Sequence, residues 1–368
     1  VSRRIDQTEI DDLKSRTELS SVFAQFGVRS RDTGKIKWVP CCFHGEKTPS
    51  LKIDDTRGRY HCFGCGASGD HFSVLTELGG KTFMEAVEVL GGVRLITAEE
   101  RKEIEAQSQK WQKEEAAKSD RTRKDCQKLF DGAKPIGGTL AAAYLEARGL
   151  PVVKHWTADL RFVAELPYHG WVSAEADSTS DLGAFPAMVA AIRDAKGQLI
   201  GLHRTYLDKS APKKLVPPGD PARNKAKKVL GEQKGGTIRL SPEGPCVVIG
   251  EGIETTRAWF ALGLAEEDVA LAAAVSLGNL SGGAMGSSPH PTDDDKRIPN
   301  GIPDMDRPGM ILPAIVRKAI LLGDGDSDWA MTRARLLVGG RRLRNLGLSV
   351  WVQMAPKGQD FGDLVEGA

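Results

Sequence analysis

The spacing of apolar residues changes along the chain and divides it into stretches of different character. Between residues 10 and 26, Ile10, Leu13, Leu19, Val22, Phe23 and Phe26 recur at near-helical intervals and predict an amphipathic helix. Short runs at Lys37 to Val39, Leu51 to Ile53 and Arg59 to His61 read as strands. Asp70 can then cap a helix carrying Phe72, Leu75 and Leu78, and Thr82 with Glu85 forms a capping box before Phe83, Ala86, Val87 and Leu90. This first module is expected to span residues 1–95.

From Ala98 to Asp125 there is no Gly or Pro, sixteen of twenty-eight residues are charged, and only Ile104 and Trp111 are large and apolar. Such a stretch favours helix geometry but cannot bury a face, so residues 96–130 are predicted to be an exposed helical linker. Cys126 reads as a small buried residue. Residues 131–242 alternate short apolar runs with turn signals and predict a mixed α/β unit.

In residues 243–368 the pattern changes again. Cys246 to Ile249, Ala270 to Ser276, Ala319 to Leu322 and Ser349 to Gln353 are compact apolar runs, most of them separated by helical stretches such as Ile253 to Leu262. That alternation predicts βαβ units and a parallel, Rossmann-like sheet. Between the second and third runs, Ser281 to Gly309 holds ten Gly or Pro in twenty-nine residues and reads as a long flexible loop. The fold class expected is therefore α/β and multidomain.

Overall composition changes this picture little. The 368 residues suit two or three domains, and 40% hydrophobic with 27% charged residues is ordinary for a globular protein. Net charge is only +2, but residues 196–239 carry eleven Lys and Arg against three Asp and Glu. Such a patch fits a polyanionic partner, with a plain solvated loop as the alternative. Neither a signal peptide nor an apolar span of eighteen residues is present. The sequence thus predicts a reducing, cytoplasmic location, no membrane contact and no disulfides.

Two constellations carry chemistry. Cys41 and His44, then, after seventeen intervening residues, Cys62 and Cys65, form two close pairs of soft ligands suited to a tetrahedral Zn²⁺. Gly64, Gly66 and Gly69 let the second pair bend tightly, which is the pattern of a zinc ribbon. Cys42 is a spare thiol beside a ligand, and His61 reads as a surface or packing residue.

The second constellation is acidic. Functional groups in open parallel sheets gather past the carboxyl ends of strands, where this chain places Glu251, then Asp324 and Asp326, then Asp360 and Asp363 after the Pro356-Lys357-Gly358 turn. In an extended chain Asp324 and Asp326 would face one point. Converging carboxylates repel unless a cation lies among them, and hard oxygen ligands suit Mg²⁺ or Mn²⁺. Two such ions can serve phosphoryl transfer. Asp324-Gly325-Asp326 by itself is equally a plain turn. Asp328 reads as a rim residue and Asp293 to Asp295 as a solvated acidic loop.

Together these motifs resemble the DnaG-type bacterial primases, and more closely the short primases of phages and mobile elements. Cys41-Cys42-Phe43-His44-Gly45-Glu46-Lys47-Thr48-Pro49-Ser50 and Tyr60-His61-Cys62-Phe63-Gly64-Cys65-Gly66 look like the family's zinc motif, with Cys42 where the family usually has proline. Tyr144-Leu145-Glu146-Ala147-Arg148-Gly149-Leu150 and His203-Arg204-Thr205-Tyr206-Leu207 extend the likeness. Glu251-Gly252-Ile253-Glu254-Thr255, Asp324-Gly325-Asp326 and Lys357-Gly358-Gln359-Asp360-Phe361-Gly362-Asp363 resemble the three acidic motifs of a Toprim catalytic domain. The long insertion before Lys318 and the Asp328-Trp329 pair are departures.

The resemblance implies a zinc-ribbon template-binding domain, a basic subdomain and a Toprim catalytic subdomain. It implies that Glu251, Asp324 and Asp326 bind Mg²⁺ or Mn²⁺, with Asp360 a further ligand. It also implies that Arg204, Lys213 and Lys214 line a nucleotide and template groove, with Lys225 behind them. The activity implied is that of a DNA primase, a nucleotidyltransferase joining ribonucleoside triphosphates on single-stranded DNA with release of pyrophosphate. A separate replicative helicase is the implied partner, unless the sequence is a piece of a longer protein. Two rivals share parts of the pattern: a metal-dependent Toprim nuclease or topoisomerase, and a non-catalytic zinc-ribbon nucleic-acid binder. A topoisomerase needs a tyrosine nucleophile, and Tyr60, Tyr144, Tyr168 and Tyr206 lie in no recognisable strand-cleaving module.

Overall fold

A computed structural model describes residues 5–30, 32–43, 49–63, 67–150, 152, 159–174, 176, 178–264, 269–294 and 296–366. His44 and Cys65 lie outside the described residues, as does Asp295. The chain forms two compact units, Val1–Asp120 with Ala284–Ile302, and Arg121–Gly283 with Pro303–Ala368.

The first unit opens with α1 (Gln7–Ser15) and α2 (Leu19–Ala24) rather than one amphipathic helix. Its apolar stripe is used as expected, since Leu13, Leu19, Val22 and Phe23 are fully buried. The helix breaks between them because its turn is claimed by tertiary partners. The Thr17 carbonyl lies 2.7 Å from Nε2 of His71, and the Asp55 carboxylate accepts from the Ser20 amide at 2.7 Å. Strands β1 (Ile36–Pro40), β2 (Pro49–Asp54), β3 (Arg59–Cys62) and β4 (Ser68–Gly69) form an antiparallel sheet in chain order. Gly58, at φ +59°, makes the turn between β2 and β3. Helix α3 (His71–Glu77) is capped by Asp70, and α4 (Phe83–Val89) by the Thr82/Glu85 box. Helix α5 (Ala98–Gly132) is the charged helix expected; its residues from Arg121 onward belong to the second unit, and its buried residues, Cys126 and Phe130, lie there.

In the second unit, β5 (Lys134–Pro135) and helix α6 (Leu140–Glu146) precede β6 (Leu160–Gly170), β7 (Ser180–Arg193), β8 (Leu199–Tyr206) and β9 (Lys227–Gly231). The strands form an antiparallel sheet in chain order. Next come β10 (Ile238–Arg239), β11 (Cys246–Gly250), α7 (Ile253–Ala261), β12 (Ala270–Ala273) and α8 (Leu277–Ser281). Strand β12 stops short of the expected Ser276 because Val275 takes φ +72°, costly for a β-branched residue.

The stretch from Ser281 to Gly309 is not a plain loop. It holds a hairpin, β13 (Ser287–Pro289) paired with β14 (Arg297–Pro299), and residues 284–302 belong to the first unit. Its neck is pinned: the buried Arg342 guanidinium donates to the Met310 carbonyl at 3.0 Å and the Ser281 carbonyl at 3.3 Å. At Gly282 and Gly309 the two backbones approach so closely that a Cβ on Gly282 would lie 2.7 Å from the Gly309 nitrogen. Glycines that read as flexibility are there for close approach.

The remaining elements are β15 (Lys318–Gly323), α9 (Trp329–Asn345), β16 (Ser349–Met354) and α10 (Phe361–Glu366). Strand order is β10-β12-β11-β15-β16, parallel except for the short edge strand β10. Alternate residues of β11 feed two cores. Val248 packs with Tyr144, Ile253, Trp259 and Phe361, whereas Val247 and Ile249 pack with Leu321, Leu336 and Leu343. Apolar cover on both faces explains the continuous apolar runs in the sequence.

Candidate active site

The parallel register fixes where the acids stand. β11 pairs with β15, Ile249 opposite Leu321, and β15 pairs with β16 through Gly323 opposite Met354. Glu251, Asp324 and Asp360 therefore follow three neighbouring strands at their carboxyl ends. Two of the loops are stitched together. The Gly325 amide donates to the Gln359 carbonyl at 2.8 Å, and the Gly358 amide to the Gly325 carbonyl at 2.7 Å. A Cβ on Gly325 would sit 2.1 Å from the Pro356 carbonyl oxygen, so only glycine fits between the two aspartates.

Asp324 is half-buried, and its Oδ2 accepts from the Thr255 hydroxyl at 2.8 Å. Its Oδ1 is buried with no hydrogen-bond partner. Burial pushes the Asp324 carboxyl up to about 6, and the charges of Asp360 and Asp326 add to that, against the lowering effect of the Thr255 hydroxyl and the Phe361 amide. An orphaned carboxylate oxygen among like charges fits a divalent cation. Asp326 lies in a bend rather than an extended strand and is exposed, so it does not share the half-buried position of Asp324. Asp360 Oδ1 accepts from the Asp363 amide at 2.7 Å and caps α10. Among the described residues, no three His, Cys, Asp or Glu side chains are gathered into a ready-made ion cage.

The basic residues divide between the two faces of the antiparallel sheet. Lys214, joined to Leu207 by a β-bridge, and Lys227 on β9 both face Glu254, at 3.9 Å and 2.9 Å. Glu254 is buried, and its other oxygen accepts from the Tyr144 hydroxyl at 2.8 Å. Burial alone would raise the Glu254 carboxyl, but the Lys227 and Lys214 ammonium groups overcome it and hold the group below its ordinary value. Lys214 is lowered by burial and by Lys227, while the charges of Glu254 and, more weakly, Asp360 act to raise it, so Lys214 feels the acidic loop that carries Asp360. His203, buried beside them, is pushed down to about 4 by burial and then by Lys227, and is neutral at pH 7.

The structure does not bring Arg204 to that cluster. Alternation along β8 and β9 places Arg204 and Lys228 on the opposite face, where Arg204 contacts Tyr206 and the Val229 carbonyl and Lys228 lies over the Tyr168 ring. Lys213 is exposed near Asp208, and Lys225 offers its carbonyl to the Tyr168 hydroxyl. Glu254, Thr255, Tyr144 and Lys227 were not picked out as site residues from sequence. The first two do lie inside the motif that begins at Glu251, and the period of two in Lys227-Lys228 would have separated those lysines. Arg148 was missed as well; its Nε is buried without a hydrogen-bond partner, and its guanidinium is 3.2 Å from where a Cβ on Gly362 would lie.

In the first unit, Cys41 and Cys62 are buried in one cluster and form no disulfide. Two desolvated thiols at one core fit thiolate ligation of Zn²⁺. On the outer face of the sheet, Trp38, Lys52 and His61 stand directly opposite one another on three strands. Phe63, exposed, stacks on Trp38 at 5.5 Å and meets His61 edge-on at 4.7 Å.

Residues 5–106 match the family model of the CHC2 zinc finger, the DnaG zinc ribbon. The chain is a relative of the DnaG-type primases. A DNA primase of Lactococcus lactis subsp. lactis is 41% identical over 102 residues, 27% of this chain and 16% of that protein. A DNA primase of Halalkalibacterium halodurans is 28% identical over 252 residues, 63% of this chain and 41% of that protein. The chain thus matches less than half the length of these DnaG-type relatives. Residues 120–240 match a domain of unknown function, DUF7146. The zinc-binding and RNA polymerase domains of the Aquifex aeolicus primase align over 98% of this chain and 83% of that one at 16% identity, with a loose TM-score of 0.34. The zinc-finger match covers the front module, and the parallel sheet of the second unit stands on its own strand order.

Proposed function

We propose that this chain is a DNA primase, a nucleotidyltransferase that joins ribonucleoside triphosphates on single-stranded DNA and releases pyrophosphate. The observation that carries the reading is the orphaned Asp324 oxygen at a strand end, beside acidic loops whose Asp360 charge reaches Lys214, in a chain whose front module matches the CHC2 zinc finger.

Asp324, with Glu251 and Asp326 and a contribution from Asp360, would hold Mg²⁺ or Mn²⁺. Bound there, such ions would supply charge neutralisation for an attacking 3′ hydroxyl and a departing pyrophosphate. Thr255 orients Asp324 by fixing one of its oxygens. Lys214 and Lys227 present ammonium groups to the triphosphate of an incoming nucleotide, with Lys213 at the rim. On the far face, Arg204 serves the template backbone instead, with Lys225 assigned to the same task. Zn²⁺ would be held by Cys41, His44, Cys62 and Cys65. Exposed Phe63 and half-buried Trp38 beside Lys52 offer template bases a stacking surface and a cation for phosphate. The reading places the protein in the cytoplasm with a separate replicative helicase as partner. No described helix is long and apolar enough to cross a membrane.

Purified chain, single-stranded DNA, labelled ribonucleotides and Mg²⁺ test the proposal. Short RNA products that vanish in Asp326→Ala, with DNA binding retained, are expected. Hydrolysis of the DNA without synthesis would point to a nuclease and overturn it.

A further inference from the structure

Three polar side chains, Glu251, Glu254 and Thr255, stand at the entrance to α7, and two of them belong to the acidic side of the site. Glu251 precedes the helix and Thr255 holds Asp324. Glu254 lies between them in sequence but turns to a different set of partners.

Both of its oxygens are engaged. Oε1 accepts from Tyr144 at 2.8 Å and faces Lys214 at 3.9 Å; Oε2 pairs with Lys227 at 2.9 Å. The Glu254 side chain is 10% exposed, whereas Lys214 and Lys227 are 40% and 37% exposed. The carboxylate is thus at the bottom of the cluster and the ammonium groups open outward. Without it, like-charge repulsion between Lys227 and Lys214, which already disfavours the Lys214 ammonium, would drive the two side chains apart. Of the other groups acting on the cluster, His203 is neutral, Arg148 adds positive charge, and Asp360 is the smallest of the charge effects on Lys214, so none replaces the lost carboxylate.

We infer that Glu254 is a positioning residue rather than a metal ligand: it holds Lys227 and Lys214 as a paired cation for the triphosphate of the incoming nucleotide. This rests on the primase reading and deepens it. The same short motif then serves both halves of the site, Glu251 and Thr255 on the acidic side and Glu254 on the basic side. Because a lysine is a flexible point charge, fixing it in advance removes an ordering cost at the moment of binding.

The test measures binding of a non-hydrolysable ribonucleoside triphosphate, in Mg²⁺ with template present, alongside primer synthesis. Glu254→Gln is expected to weaken triphosphate binding about tenfold or more, with the half-saturating Mg²⁺ concentration and template affinity unchanged, and Glu254→Asp to recover part of the loss. Glu254→Gln leaves two unpaired ammonium groups, so Lys227→Met and the double variant Glu254→Gln/Lys227→Met guard against misfolding. If Glu254 acts through Lys227, the double variant binds triphosphate as Lys227→Met does, the second change adding less than about threefold. A shifted Mg²⁺ requirement in Glu254→Gln, fully additive losses in the double variant, or no triphosphate binding by the wild type would each overturn the inference. Glu254-dependent triphosphate binding without any primer synthesis would leave it standing and remove the primase reading instead.

Discussion

Asp324 is predicted to be a residue that destabilises the protein it serves. Its carboxyl sits at about 6 against an ordinary value of 3.8, so the fold disfavours the charged form. A gap of roughly 2 units at about 1.4 kcal/mol each corresponds to at most about 3 kcal/mol. The sign follows from proton binding: between pH 4 and 6 the folded state holds a proton that the unfolded chain has released. Stability contributed by this site is therefore greatest below pH 4, falls as pH rises to 6, and is level above. Asparagine is neutral throughout and keeps an oxygen for the Thr255 hydroxyl. In magnesium-free buffer, Asp324→Asn should raise unfolding stability by about 1–3 kcal/mol at pH 7, discounted from the full value because Asn brings an amide of its own to satisfy. The gain should shrink towards zero by pH 4. Urea unfolding of both proteins at pH 4, 5, 6 and 7 measures it, and adding Mg²⁺ should narrow the gap by stabilising only the wild type. A variant that is less stable at pH 7, or a difference that does not change with pH, would refute the argument.

Other expected outcomes follow from the same geometry. Gly325→Ala forces a Cβ against the Pro356 carbonyl and should cost about 1–3 kcal/mol while abolishing primer synthesis, read by thermal unfolding and the primer assay together. Removing the Glu254 charge leaves two partly exposed lysines without their buried counter-ion, and Glu254→Gln should lower stability by about 1–2 kcal/mol in urea unfolding at pH 7, less than for a fully buried pair because solvent screens the lysines. Because the Glu254 carboxyl is held below its ordinary value, that contribution should be present above pH 4.5 and be lost on acidification. Phe63→Ala should weaken single-stranded DNA binding by about 1–3 kcal/mol in fluorescence titrations, with circular dichroism unchanged. Cys62→Ser should release Zn²⁺, measured by metal analysis, and loosen the first unit in hydrogen exchange.

Much of the fold was legible because the physics was local. Capping at Asp70 and Thr82, the charged helix from Ala98, and the four apolar runs of the parallel sheet all follow from residues close in sequence. The exceptions are tertiary. One helix over residues 10–26 became two when His71 and Asp55 claimed its middle turn. The Gly- and Pro-rich insertion became a pinned hairpin because Arg342, far along the chain, satisfies its carbonyls. At the site, strand-end placement pointed to Glu251, Asp324 and Asp360 from sequence alone. Alternation in β8 and β9, by contrast, needed a register that composition could not supply, so Arg204 and Lys214 were grouped although they lie on opposite faces. Glu254 was passed over because its partners, Tyr144 and Lys227, are 110 and 27 residues away.

The central claim is that acids from three neighbouring strand ends form one cation site next to a lysine pair. Manganese titration followed by electron paramagnetic resonance tests it most directly, in the zinc-loaded protein without nucleotide. The account predicts saturable Mn²⁺ binding that Asp324→Asn and Glu251→Gln each weaken at least tenfold and that Glu254→Gln leaves intact. Undiminished binding in both Asp324→Asn and Glu251→Gln would contradict it.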